Sequence, residues 1–200
     1  MKVSFLAPDD WTIYNFKMPV IRKIKEEGHD VTIITPYGEN VDKFKEEGYE
    51  WRRWKLDHHS INPLKEIVSI TDLFSIYIKE KPDIAHHYTA KGILYGSIAA
   101  RFSQTSGIIN AVTGGVSALG NVVSEEKWVH RAVKRVLESA YRYCLSGTEV
   151  IFQNPDDMES FLDKGIVSER SSHLVNGSGA SLGKFTVKEE VGDGNTTVIL

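Results

Sequence analysis

The stretch Pro82–Arg101, "PDIAHHYTAKGILYGSIAAR", decides the fold. Asp83–His87 is short, opens after a proline, and reads as a strand. Gly92–Phe102 reads as a helix, and its Gly96, Ser97, Ala99 and Ala100 suit close packing on a sheet. A strand that leads into a helix of small residues is one half of a βαβ unit.

The same alternation extends in both directions. Upstream, Val3–Ala7 is a continuous apolar run, as in a strand buried on both faces. Tyr14–Glu27 reads as a helix with Phe16, Met18, Val20, Ile21 and Ile24 at helical spacing, stopped by Gly28. Val31–Thr35 is a second strand, Asp42–Glu47 a short helix, and Tyr49–Leu56 a third strand. Asn62-Pro63 is an N-cap followed by a first-turn proline, and Pro82 ends the helix it opens. Downstream come a strand over Ile108–Thr113, a long helix capped by Ser124, and a strand over Glu149–Gln153. A helix then opens at Asn154-Pro155 and stops at Gly165, before a short strand over Ser172–Asn176. Repeated strand–helix alternation predicts a doubly wound α/β domain with a mostly parallel sheet and helices on both faces.

This domain is expected to occupy residues 1–180. Residues 181–195 are polar, contain glycine and read as a linker. The closing "TTVIL", residues 196–200, reads as the first strand of a further domain, so the chain is expected to be the N-terminal part of a longer one. The other reading of that strand is an edge strand returning to the same sheet.

The chain has 200 residues and a net charge of −3, so bulk charge does not suggest nucleic acid as a partner. Its single cysteine, Cys144, cannot form an internal disulfide or a C-x-x-C site and fits a reducing cytoplasm. The opening "MKVSFLAPDD" is too short for a signal-peptide core, and no apolar run approaches a membrane span. These features predict a cytoplasmic protein, soluble or at most peripheral.

In a doubly wound sheet, ligands bind beyond the carboxyl ends of the strands. The segments there carry no G-x-G-x-x-G, no P-loop and no G-x-S-x-G. Asp9 and Asp10 follow the first strand and could grip sugar hydroxyls or cap the next helix. His86-His87 end the fourth strand, with Thr89 and Lys91 close behind. Either an imidazole serves a substrate hydroxyl as partner or base, or the strand simply ends on polar residues. With His58-His59 these could suggest a metal site. Adjacent histidines on an extended chain point to opposite sides, however, and no H-E-x-x-H is present, so no metal is expected. Thr113-Gly114-Gly115 is either a tight turn or a place where backbone N–H groups approach a phosphate or hydroxyl. The Lys127–Leu145 helix carries five Lys/Arg and one Glu. Trp128, Val129, Ala132, Val133, Val136, Leu137, Ala140 and Tyr141 fall at helical spacing along it. It reads as an amphipathic helix on the sheet, or as one whose basic face also meets anionic lipid.

Taken in order, "YNFKMPVIRKIKEEGHDVTIITP", "LDHHSINPLKE", "PDIAHHYTAKGILYGSIAAR", "VTGGVSALG" and "VNGSGASLGKF" resemble the N-terminal domain of GT-B glycosyltransferases of family 4. The likeness is closest to bacterial members that build polysaccharides or lipid-linked glycans, and it covers essentially the whole chain. Two departures stand out. Relatives commonly have Thr-Gly-Leu-Gly where this chain has Thr113-Gly114-Gly115-Val116, and many carry arginine where this chain has His58. The resemblance implies an acceptor-binding, Rossmann-like half of a retaining enzyme, inactive alone. The donor is implied to be a nucleotide sugar, UDP-linked, used as substrate with no cofactor or metal. The acceptor is implied to be a glycan or a lipid-linked sugar, and the main catalytic carboxylates are expected in a second domain. On this chain His87 is the expected catalytic-side contact. Asp9, Asp10, Tyr14, Asn15, His58, Asn62, Thr89, Lys91, Thr113, Gly114 and Gly115 are the expected substrate contacts. The alternatives are a domain of a UDP-sugar 2-epimerase-like GT-B enzyme and a non-catalytic flavodoxin-like binding module.

Overall fold

The computed structural model describes residues 1–57, 62–113 and 127–179. The strands are β1 (Lys2–Leu6), β2 (Asp30–Thr35), β3 (Glu50–Arg53), β4 (Ile84–Tyr88), β5 (Gly107–Val112), β6 (Glu149–Phe152) and β7 (Ser172–Leu174). They form one seven-stranded sheet in the order β3-β2-β1-β4-β5-β6-β7, and every neighbouring pair is parallel. The order reverses direction between β1 and β4, which is where a doubly wound sheet opens its ligand crevice. The expected linker at 181–195 and strand at 196–200 lie outside the described residues.

Helices cover both faces. α1 (Asp10–Thr12) runs through a π-helical segment, Ile13–Lys17, into α2 (Met18–Glu26). The others are α3 (Val41–Glu46), α4 (Pro63–Glu80), α5 (Thr89–Phe102), α6 (Lys127–Leu145) and α7 (Pro155–Asp163). Alternate residues of the central strands serve opposite cores. Phe5 and Ile33 pack with Ile13, Ile21 and Phe44 on one side. Leu6 and Ile34 pack with Trp54, Leu73, Tyr77 and Ala99 on the other. Beyond them Val112, Val150 and Phe152 meet Ile93, Tyr141, Leu145 and Phe161. Each large side chain fully withdrawn from water contributes about 1.5–3 kcal/mol, which makes the two-sided core the main source of stability.

Sequence signals placed the caps well. The Asn62 carboxamide accepts from the Leu64 N–H at 3.0 Å, and Asn154 accepts from the Asp157 N–H at 2.8 Å. Gly96 is also explained, because a Cβ there would lie 2.6 Å from Leu6 Cδ2 and 2.7 Å from His87 Cδ2. Only a residue without a Cβ lets α5 lie this close to β1 and β4.

Four expectations need correction. The first helix begins at Asp10 rather than Tyr14, and its inward face is out of phase with the simple pattern. Phe16 and Val20 are 41% and 48% exposed, whereas Lys17 is only 7% exposed. Pro19 has no N–H to give the carbonyl of Asn15, and the chain widens instead, with the Met18 N–H bonding the Ile13 carbonyl. Lys17 closes that wider turn and is buried, as is Ile13 at its start. Second, β3 ends at Arg53, not Leu56, because the Leu56 N–H turns back to the Trp54 carbonyl at 2.9 Å. Trp54 itself goes into the core, its indole N–H donating to the Ser69 carbonyl at 2.9 Å. Third, α5 starts at Thr89 rather than Gly92. Fourth, Val136 is exposed on the outer face of α6, where the spacing had counted it among the packing residues.

Candidate functional site

A cavity of about 390 Å³ opens beyond the carboxyl ends of the central strands. Thr89 follows β4, Thr113 follows β5 and Gln153 follows β6; Thr12, Phe16 and Lys17 come from the first helical stretch, and Ser178 and Gly179 from the segment after β7. Of the residues expected to bind substrate, the structure brings Thr89 and Thr113 to this cavity.

The wall is built around Lys17. Its ammonium donates to Ser178 Oγ at 2.7 Å and lies 4.8 Å from the centroid of the Tyr88 ring. Gln153 Nε2 donates to the same Ser178 hydroxyl at 3.0 Å, tying the segment after β7 to the end of β6. Burial alone lowers the Lys17 pKa from its ordinary value, since removing an ammonium from water penalises its charge. Behind Lys17 lies His86, with its ring centroid 4.3 Å from that of Tyr88 and Nδ1 hydrogen-bonded to the tyrosine hydroxyl at 3.1 Å. Desolvation, then repulsion from His87 and Lys17, pushes the His86 pKa down to about 3. Thr89 is a β-branched residue with φ of +64°, a conformation that costs on the order of 1–3 kcal/mol. Its Oγ1 is buried without a hydrogen-bond partner among the described residues. Lys17, Gln153 and Ser178 were not foreseen from the sequence. For Lys17 the available signal was its spacing of four residues from both Ile13 and Ile21.

The other expected contacts have different surroundings. Asp9 caps α1, accepting from the Thr12 N–H at 2.6 Å and the Thr12 hydroxyl at 3.0 Å. Asp10 is buried and accepts from the backbone N–H and side-chain amide of Asn40 at 2.7 and 3.0 Å, fastening the loop after β2 to the start of α1. Asp9 is thus the cap of the following helix, whereas Asp10 holds the loop after β2 rather than capping. Tyr14 packs near Phe44 and takes the Lys43 ammonium over its ring at 4.5 Å. Asn15 is exposed and donates to the Trp11 carbonyl at 3.0 Å. Lys91 pairs with Glu66 at 2.9 Å and reaches the Asp57 carbonyl at 3.2 Å, while Tyr95 donates to the other oxygen of Glu66. That network joins α5 to α4 and to Asp57, while Asn62 caps α4. His58, Gly114 and Gly115 lie outside the described residues.

His87 is not at the cleft surface, and this corrects the expectation of a cleft-wall contact. It is fully buried on the α4–α5 side of the sheet. Its Nδ1 is 2.9 Å from Asn110 Oδ1 and its Nε2 2.9 Å from the Tyr77 hydroxyl. A carboxamide oxygen only accepts, so Nδ1 carries the proton, and Nε2 accepts from tyrosine. Asn110 also accepts from Ser97 and donates to Thr148. Both ring nitrogens are committed inside the protein. Burial pushes the His87 pKa down to about 4, keeping it neutral. The pattern of adjacent histidines correctly implied opposite faces, yet in a strand covered on both sides each face is an interior.

A second groove, of about 490 Å³, runs between the ends of β2 and β3 and the first turns of α4. Tyr37, Leu64 and Val68 are exposed along it, and Arg53, Lys55, Asp57 and Lys65 also line it, with Lys65 paired to Asp57 at 2.9 Å and Lys55 to Asp72 at 3.4 Å. Among the described residues no group of His, Cys, Asp or Glu could hold a metal ion, and no helix is long and apolar enough to cross a membrane.

An all-parallel doubly wound sheet with a cavity beyond the carboxyl ends of its strands defines a Rossmann-like α/β domain. The chain belongs to the glycosyl transferase 4-like family, whose pattern it matches over residues 2–154. It is 23% identical over 186 residues to the N,N'-diacetylbacillosaminyl-diphospho-undecaprenol alpha-1,3-N-acetylgalactosaminyltransferase of Campylobacter jejuni, covering 92% of this chain and 48% of that protein. This chain thus spans about half the length of that curated relative. Among solved structures it resembles a glycosyltransferase from Rickettsia africae, with TM-score 0.62 and 15% identity over 86% of this chain and 42% of that one. The apo form of the lipopolysaccharide outer core galactosyltransferase WaaB gives TM-score 0.58 and 13% identity over 86% and 44%. The UDP-GlcNAc 2-epimerase of Methanocaldococcus jannaschii gives 0.55 and 16% over 88% and 45%. At these identities the structures share a fold with this chain and carry no further inference.

Proposed function

We propose that this chain is the acceptor-side domain of a retaining glycosyltransferase that moves a sugar from a nucleotide-sugar donor to a glycan or lipid-linked acceptor. The observation that carries the reading is the cavity beyond the carboxyl ends of β4, β5 and β6, in a chain whose family and curated relative are glycosyltransferases. The donor is taken to be UDP-linked and no cofactor is invoked. Thr89 and Thr113 face the transferred group, and Gly114-Gly115, next in sequence, let backbone N–H groups approach it. The groove edged by Tyr37, Leu64 and Val68 suits the apolar part of a lipid-linked acceptor. The protein works in the cytoplasm at the inner membrane face, where the basic outer side of α6 meets anionic lipid.

The test is a transfer assay on the polypeptide that carries this domain, with a panel of nucleotide sugars and an undecaprenyl-diphosphate-linked sugar as acceptor. Acceptor-dependent release of nucleoside diphosphate is expected, with the anomeric configuration retained in the product. Conversion of a UDP-sugar to its 2-epimer without acceptor would replace this reading with the epimerase one.

A further inference from the structure

We propose that Lys17 binds a substrate diphosphate, its ammonium being the cation that the cleft presents to the phosphate oxygens. The inference rests on the reading of the cavity as a substrate site and adds the chemistry of one subsite.

Three observations carry it. First, Lys17 is buried beside the cavity, and among the described residues no carboxylate pairs with its ammonium. Its hydrogen-bond partner among the described residues is the neutral Ser178 hydroxyl, and the Tyr88 ring face completes its surroundings. Buried charges in proteins are normally paired, and a hydroxyl and a ring face leave the ammonium short of countercharge and with donors to spare. Second, the chain makes this placement through an irregular turn. The π-helical segment Ile13–Lys17 ends on Lys17, which is 7% exposed, while Phe16 before it is 41% exposed. Such single-turn widenings recur at functional sites. Third, among the described residues the cavity around Lys17 is lined by neutral donors and no acid. Thr12, Thr89, Thr113, Gln153 and Ser178 line it, and the Thr89 hydroxyl is buried without a hydrogen-bond partner among the described residues. A cation ringed by hydroxyls and an amide matches a phosphate, which only accepts hydrogen bonds when ionised. A neutral sugar alone would not offset the burial of the charge.

A diphosphate could come from the nucleotide sugar or from a diphosphate-linked lipid acceptor, and Lys17 would serve either in the same way. The test measures binding to the polypeptide that carries this domain by calorimetry. The probes are UDP, geranyl diphosphate and inorganic pyrophosphate, each compared between wild type, Lys17→Met and Lys17→Arg. Loss of a charge-assisted hydrogen bond is worth about tenfold to hundredfold in affinity. Lys17→Met is therefore expected to weaken pyrophosphate binding by that factor, and Lys17→Arg to retain most of it. A loss for UDP alone assigns Lys17 to the donor, and a loss for geranyl diphosphate alone assigns it to the acceptor. Methionine fills a similar volume without charge, so the variant should melt no lower than wild type. Unchanged affinity for all three probes in Lys17→Met, or no binding of any by wild type, overturns the inference. The transfer assay decides the functional reading separately, since transfer with an unchanged Lys17→Met leaves that reading standing.

Discussion

His87 and Thr89 sit two residues apart and show how differently one strand end can use its side chains. His87 closes a buried chain from Tyr77 to Asn110 and Thr148. Its pKa of about 4 lies below the ordinary 6.5, so folding favours the neutral ring. Above 6.5 the imidazole is neutral in both states and costs nothing. As pH falls from 6.5 towards 4, the unfolded chain takes up the proton first and stability is lost. A displacement of that size is on the order of 3 kcal/mol at full expression. His86 adds to the loss in the same direction, because its pKa is also pushed down, to about 3. Urea unfolding between pH 7.5 and 4.5 is expected to show that fall, and His87→Gln should flatten part of the slope. Stability flat across this range would mean the imidazole is charged in the fold. Thr89 instead carries backbone strain at φ +64°. Thr89→Gly relieves it and is expected to raise stability by about 1 kcal/mol in urea unfolding while reducing transfer. A loss of stability would mean that the threonine side chain packs better than its backbone is strained.

At the scale of elements, the contact of α5 with β1 and β4 holds the back of the site in place. Gly96→Ala puts a methyl group against Leu6 and His87, neither of which has room to retreat. Overpacking of this kind is expected to cost about 2 kcal/mol or more and to lower the thermal midpoint, with the buried histidine chain disturbed as well. A midpoint within a degree of wild type would show that α5 can lift freely. The closeness of this helix was legible in the sequence because glycine, serine and alanine on a helix beside a strand have few other uses. So were the strands, whose apolar runs follow from burial on both faces, and the caps at Asn62 and Asn154. The register of the first helix was not legible from apolar residues alone. Apolar character counts Phe16 and Val20 inward, whereas Lys17, four residues from both Ile13 and Ile21, shares their buried face. The inward commitment of His87 was hidden for a related reason: in a strand covered on both sides, alternation no longer separates interior from surface. Asp9 and Asp10 were ambiguous because carboxylates cap helices and grip hydroxyls with the same lone pairs, and only the geometry shows Asp9 capping α1 and Asp10 holding Asn40.

For the whole molecule, the question is which surface meets the membrane if the acceptor is lipid-linked. The outer side of α6 presents Arg131, Arg135, Val136 and Tyr143, a mixture of cations and apolar groups suited to the headgroup boundary. Arg142 on the same helix is turned to the protein instead, donating to the carbonyls of Lys164 and Gly165 at 2.9 and 3.1 Å. The net charge of −3 means that attraction to an anionic surface has to come from such a local patch, not from the molecule as a whole. Each arginine near an anionic surface contributes about 1 kcal/mol, so reversing two of them should weaken binding by well over tenfold. Flotation with vesicles of phosphatidylglycerol and phosphatidylcholine is expected to recover the wild-type protein at low salt and the double variant Arg131→Glu/Arg135→Glu far less. Raising the salt to 0.5 M should erase most of the difference, since screening removes what charge supplied. Leu64→Ser/Val68→Ser, on the groove beside the cleft, is the comparison. If that pair abolishes flotation and the arginine pair does not, the membrane lies against the groove, and α6 is an ordinary solvent-facing helix.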